Sequence, residues 1–331
     1  MDLDAFSAVH APTWARLDAL SGRRRLSGAE ADEIVLLYQE VATHLSTVRS
    51  TAPDPSLVSR LSEVLGRARS AIAGSHDPSW SDVSRFVRTV LPAALFRVRW
   101  WTVAVTGAFL ALALVAGLHV YADPAAQAAM GTPSQLQEYA DQAFANYYTD
   151  YPGQSFAAQV WTNNAWIAAQ CVAFGITGVM PVLVLVQNAV AVGSAGAVMA
   201  LHDGLAVFFQ LILPHGLLEL TAIFVAGGAG LRIFWTVVDP GGLPRARALV
   251  EAGLSLITVA IGLVGVLAVS GLIEGFVTPS SLPWGVKIAI GALALAGFWV
   301  YVLVLGRRAV RAGESGGLRE GHGADQLPVA A

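Results

Sequence analysis

The chain has 331 residues, 55% hydrophobic and 13% charged, with a mean hydropathy of +0.59 and a formal net charge of −3. A soluble domain carries about 25% charged residues, and this chain has no Lys or Arg between Arg99 and Arg232. A soluble globular enzyme is therefore excluded, and a polytopic membrane protein is implied, because about 20 apolar residues suffice to span a bilayer core.

The N-terminal stretch MDLDAFSAVHAPTWARLDAL has acidic residues and no apolar core, so it is not expected to be a cleaved signal peptide. Residues 1–98 are expected to form a cytoplasmic helical domain. Phe6, Val9, Trp14, Leu17 and Leu20 fall at helical spacing. Ser27–Glu30 (SGAE) has the pattern of a capping box, in which side chains at the two positions satisfy each other's free backbone N–H. The helix after it carries Ile34, Leu37, Tyr38, Val41 and Leu45 on one face, and APDPS ends it, because proline disfavours helix in the residue before it. A third helix is expected over about residues 56–73. A fourth begins near Trp80 and runs basic, through Arg85, Arg88, Arg97 and Arg99, into the first span.

The transmembrane domain is expected over residues 99–306, as an all-α bundle of about six spans near 100–121, 158–180, 182–202, 205–237, 249–273 and 287–306. Arg97 and Arg99 before the first span, Arg232, Arg245 and Arg247 around the end of the fourth, and Arg307, Arg308 and Arg311 after the last can all be cytoplasmic if both termini are inside. Residues 122–157 then form an external loop and residues 307–331 a disordered cytoplasmic tail. The fourth run is about 33 residues long, and at 1.5 Å per residue it reaches about 50 Å against a core of about 30 Å. With Pro214 inside it, a kinked or broken helix is expected, with a re-entrant half as one form of the break.

The external loop has a helix of its own. Thr132–Gln135 (TPSQ) reads as a capped start with Pro at the first helical position. Leu136, Tyr139, Phe144, Tyr147 and Tyr148 recur at helical spacing. The face suits either the bilayer interface, where Tyr is favoured, or a docking surface for an extracytoplasmic partner.

Ionisable and amide groups at membrane depth are costly and face the bundle interior or a water-filled cavity. The candidates here are His215, Glu219, Asn163, Asn164, Asn188 and Arg232. His215 and Glu219 are four apart, hence on one helix face. They can form a structural hydrogen-bonded pair, with Asn188 or Asn164 as partners, or line an ion or proton path, or ligate a metal. The metal reading is the weakest, because HGLLE is not the HExxH arrangement, and no metal or other cofactor is expected. Gly175, Gly178, Gly193, Gly196, Gly216, Gly227, Gly228 and Gly230, with Pro214, form small-residue patches of the kind that let helices approach closely in lipid. The lone cysteine, Cys171, excludes a disulfide framework and a CxxC metal site. The chain has no phosphate-binding glycine loop, no nucleophile elbow, no basic-aromatic nucleic-acid surface and no obvious inverted repeat.

The strings NNAWIAAQCVAFGITGVMPVLVLVQNAVAVGSAGAV, LPHGLLELTAIFVAGGAGLR and PGGLPRARAL together resemble the stage II sporulation protein M (SpoIIM) family of bacterial integral membrane proteins. The matching positions are Asn163, Asn164, Gly175, Gly178, Asn188, Gly193, Pro214, His215, Gly216, Glu219, Gly230, Leu231 and Arg232. The N-terminal helices, with Trp14–Leu17 and Leu37–Tyr38, look like those of the longer members. The resemblance implies a non-enzymatic component of the bacterial cytoplasmic membrane that anchors an envelope or peptidoglycan-remodelling complex. Its partners would be lipid and envelope proteins such as peptidoglycan hydrolases, with a homo-oligomer also compatible. Two other functions compete with this one: a channel or transporter with His215 and Glu219 lining the path, and an intramembrane hydrolase using the same pair.

Overall fold

The structure is a computed structural model that describes residues 2–23, 26–51, 53–72, 80–143 and 153–318. The described residues are helical and contain no strand. The chain divides into two compact units, Met1–Trp80 and Ser81–Ala331.

The first unit holds three helices, α1 (Leu3–Ser21), α2 (Gly28–Thr51) and α3 (Pro55–Ile72). Their starts are set by local chemistry. Asp2 accepts from the backbone N–H groups of Asp4 and Ala5 at the head of α1. At the head of α2 the Ser27 N–H donates to Glu30 Oε2 at 2.9 Å, while the Glu30 N–H donates back to Ser27 Oγ at 3.4 Å, so the capping box forms. At α3, Asp54 Oδ1 accepts from the Leu57 N–H at 2.8 Å, and Pro55 takes the first helical position, where its missing N–H costs nothing. Each helix then turns one apolar stripe inward: Trp14, Leu17 and Leu20 from α1; Ile34, Val41 and Leu45 from α2; Leu61, Val64, Leu65 and Ala68 from α3. Leu37 and Tyr38 pack against this core as expected, whereas Val9 is exposed, on the solvent side of α1.

The second unit begins with α4 (Trp80–Ala122), one continuous helix with a π turn at Phe86–Val90. It runs unbroken through residue 98, so the expected domain boundary there lies inside a helix. Two short helices follow, α5 (Pro124–Met130) and α6 (Pro133–Glu138). The capping box of Thr132 and Gln135 is present in α6, and a π turn at Tyr139–Ala143 follows. Then come α7 (Gly153–Ala173), a 3₁₀ turn at Gly175–Thr177, α8 (Val179–Leu201), α9 (Leu205–Val238), α10 (Arg245–Val277) and α11 (Trp284–Arg311). Among the described residues five helices are long and apolar enough to cross a membrane: α4, α8, α9, α10 and α11. The chain is a membrane protein. The sixth expected span, near 158–180, differs. Its helix ends at Ala173, and Thr162, Asn163, Asn164 and Gln170 make it more polar than its neighbours.

Helix α9 is the axis of this unit. It packs against α4, α7, α8, α10 and α11, and every residue from Thr221 to Gly230 is buried. A helix covered all round is a core helix. The outer helices instead expose large apolar side chains, such as Leu110, Leu114 and Leu118 on α4 and Leu293 and Val300 on α11. Patches of that kind suit lipid and would drive aggregation in water.

Two expectations are corrected here. First, of the kinked or broken helix expected here, the broken and re-entrant forms are set aside: α9 is one continuous helix of 34 residues with Pro214 inside it. Pro214 removes the backbone bond to the Gln210 carbonyl without ending the helix, and other helices pack closely beside it. Gly291 of α11 lies against the carbonyls of Leu213 and Pro214, where any Cβ would collide, and the Ser270 hydroxyl of α10 donates to the His215 carbonyl at 3.0 Å. Second, residues 307–318 are not a disordered tail. Arg307–Arg311 complete α11, Arg97 donates to the Glu314 carbonyl at 2.7 Å, and Arg85 pairs with the Glu314 carboxylate at 3.2 Å. The following turn needs Gly316, which has φ +84° and sits against Ala94. Residues 319–331 lie outside the described residues.

Candidate functional site

His215 and Glu219 lie one turn apart on α9, in its first half. Both are sealed from the surface, with 4% and 8% of their area exposed. The helix repeat puts both side chains on the face turned to α10. There they meet a group that sequence reasoning missed, Glu274, which is 2% exposed. Glu274 sits in the π turn Ile273–Val277 that ends α10. A π turn inserts an extra residue per turn and re-aims side chains, and such turns are frequent at functional sites.

The distances define a three-group cluster. His215 Nε2 is 3.6 Å from Glu274 Oε1 and 3.9 Å from Glu219 Oε2. One ligand-type atom from each of the three lies within 4.8 Å of the other two. Each group is held from behind. Thr278 Oγ1 stands 3.3 Å from His215 Nδ1 and fixes the ring so that Nε2 faces the carboxylates. The Asn164 side-chain amide of α7 donates to Glu219 Oε1. Lys287 of α11 donates to the Thr278 carbonyl at 2.6 Å, one layer further out. Four helices thus converge on one polar centre. Burying two carboxylates beside an imidazole is expensive unless charge and hydrogen bonds are compensated within the cluster. The second oxygen of Glu274, Oε2, is buried without a hydrogen-bond partner.

The other expected polar residues do not join it. Asn188 donates to the Val184 carbonyl of its own helix at 2.7 Å, and Asn163 is exposed. Arg232 lies 17 residues beyond His215 on α9, about 26 Å along the axis at 1.5 Å per residue. It lines a small cleft with Val98, Ser255 and Leu256. Of the docking candidates, Leu136 is half-buried and Tyr139 packs against the Met199–Phe208 cluster of the bundle, while Phe144, Tyr147 and Tyr148 lie outside the described residues.

The glycines mark where helices touch. A Cβ on Gly193 of α8 would collide with the Ala113 carbonyl of α4, and one on Gly175 would come within 2.8 Å of Gly230 Cα on α9. A Cβ on Gly228 would come within 2.9 Å of the Thr102 backbone N of α4, and one on Gly227 within 2.8 Å of Leu185. Gly178 turns the chain into α8 at φ +69°, under the Phe234 ring. A Cβ on Gly216 would come within 2.9 Å of the Ile212 side chain on its own helix, and one on Gly196 would make ordinary contact with the Phe208 ring.

Glu274 left a trace in the sequence: an acid in the apolar stretch GLIEGFV, one position past the expected end of the fifth span. Its meeting with His215 had none, because 59 residues separate them and only the packing of α9 on α10 joins them.

Residues 4–74, the three-helix unit, match a family described as Domain of unknown function (DUF8413). No curated protein and no solved structure matches the chain. Residues 101–279 match the family described as Stage II sporulation protein M. That match takes in more than half of the chain and every side chain of the His215 cluster except Lys287, so the protein belongs to the SpoIIM family.

Proposed function

We propose that the protein is a non-enzymatic anchor in the bacterial cytoplasmic membrane that positions an envelope- or peptidoglycan-remodelling complex, with both termini cytoplasmic and α7 crossing the bilayer as a sixth span beside the five more apolar helices. The supporting observation is the pairing of two separately cored units: a compact three-helix unit of residues 1–80 and a lipid-facing bundle of residues 81–318. A module with its own core suits protein binding, and the bundle fixes it at the membrane. The external loop 122–157 is the extracytoplasmic docking element on this reading. A tagged full chain, purified in mild detergent after cross-linking in native membranes, is expected to carry peptidoglycan hydrolases with it. Deleting residues 132–151 is expected to abolish that recruitment while insertion persists. Unchanged recruitment would remove the loop from the mechanism. Co-purification of an ATPase or transport subunits would replace the anchor by transport.

The burial of His215, Glu219 and Glu274 within one bundle favours a second reading, a channel or transporter whose path runs past them. A folded Glu219→Gln variant with unaltered ion flux in proteoliposomes counts against that reading.

A further inference from the structure

We propose that His215, Glu219 and Glu274 form a binding site for one first-row divalent transition-metal ion of the Zn²⁺ type. The ion would join α9 to the π turn of α10. The first observation is spacing. At 3.6 and 3.9 Å, the separations of His215 Nε2 from the two carboxylates are too long for hydrogen bonds. Zinc holds nitrogen and oxygen ligands at about 2.0–2.2 Å in a tetrahedral array, which puts neighbouring ligand atoms roughly 3.4 Å apart. The two separations from His215 would shorten by about 0.2 and 0.5 Å to match that array.

The second observation is the orphaned Glu274 Oε2. A buried carboxylate oxygen without a partner is costly, and a cation bound at Oε1 of the same carboxylate neutralises the charge that Oε2 shares. It also removes the repulsion of two carboxylates held this close in an apolar interior. The third observation is the supporting shell. Metal-bound histidine usually engages an oxygen through its other ring nitrogen, and ligating carboxylates accept further hydrogen bonds. Thr278 and Asn164 occupy those two places.

The donor set narrows the ion. One imidazole nitrogen with two carboxylates suits zinc, manganese or ferrous iron, whereas calcium and magnesium prefer all-oxygen shells. Three protein ligands leave the fourth tetrahedral position to water. His10, Glu40 and His44 in the N-terminal unit also fall at ligand spacing. There Trp14 Nε1–H already donates to His44 Nδ1, the His10 and His44 rings lie tilted against each other with centroids 4.0 Å apart, and Glu40 faces solvent. That cluster therefore serves as the control. The membrane site belongs to the bundle alone, so ion binding and partner recruitment succeed or fail separately.

The test uses the full chain in detergent, stripped with a chelator, given Zn²⁺ or Co²⁺ and desalted. The expected result is one ion per chain, with a visible cobalt spectrum and an X-ray absorption signature of one imidazole among oxygen ligands. Folded Glu274→Gln is expected to lose affinity by more than tenfold. Asn164→Leu is expected to lose roughly 10- to 100-fold, the effect of removing a supporting hydrogen bond. His10→Ala is expected to bind as the parent does. Substoichiometric binding by the parent chain, binding undiminished in Glu274→Gln, or loss in His10→Ala overturns the proposal. If Glu274→Gln does not fold, the absorption spectrum of the parent decides: several imidazoles, or none, overturns it.

Discussion

The two units hold the same chemical ingredients in opposite settings. In the three-helix unit, His44 is backed by Trp14 and His10 and faces Glu40 at 3.9 Å, with the glutamate in water. In the membrane unit, His215 faces two carboxylates and all three groups are sealed. Solvent resolves the first cluster cheaply, because an exposed carboxylate can hydrate and turn away. The second has no such escape, and its geometry must supply the compensation itself. Residue types at a given spacing therefore do not define a site until burial is known.

The units also differ in what makes their cores. The N-terminal core is built from Leu, Val, Ile and Trp stripes, driven by burial of apolar surface from water. The membrane core relies on close backbone contact at glycines, because lipid removes that driving force. The largest expected effect tests this contrast. Gly193→Leu places a side chain into the Ala113 carbonyl of α4, and a collapse of the monodisperse detergent peak in size-exclusion chromatography is expected. Survival of that peak would break the contrast.

The next effect belongs to the other unit. Leu17 is fully buried, and Leu17→Ala is expected to cost about 2–5 kcal/mol of that unit's stability. Far-UV circular dichroism would show a lower-temperature transition while the bundle peak stays intact. A surface pair should matter far less. Arg16 binds Glu33 through two contacts, at 2.8 and 2.7 Å, but both side chains are well exposed. Arg16→Ala is expected to cost about 0.2–1 kcal/mol, less at high salt. A larger loss would mean that the pair is shielded in the full protein.

The smallest effect is one of pH. Burial is the main cause that holds the His44 pKa below its ordinary value; His10 adds to it and Glu40 opposes it. His44 Nδ1 accepts from the Trp14 N–H, which requires the neutral ring. The unfolded chain then binds the extra proton more readily, so this contribution is fully present above the ordinary histidine pKa of about 6.5. It is lost as pH falls through the lower folded value. Melting temperature should therefore drop on acidification below about pH 6.5, and His44→Gln should flatten that part of the slope.

Local features were legible because local rules govern them. Hydropathy and the missing cations marked the membrane bundle. The Ser27–Glu30 and Thr132–Gln135 capping boxes form as their spacing predicts. The helical period alone put His215 and Glu219 on one face. Other features depended on distant partners. A proline at position 214 argues for a kink or a break, yet α9 is continuous through it in the packed bundle. Residues 307–318 look like a polar tail until Arg85 and Arg97 are seen to hold Glu314. Glu274 reads as one acid at the end of a span until α10 packs on α9.

From its own composition and periodicity the sequence determined a helical membrane protein with a capped N-terminal bundle and one acid–imidazole pair at depth. Only the tertiary structure decided that this pair is a trio, that α9 runs unbroken and that the described part of the tail is fixed. The reason is range. Capping and periodicity act over three or four residues, while the contacts of Glu274, Gly291 and Glu314 join positions 59 to 229 residues apart, whose meeting depends on how whole helices pack.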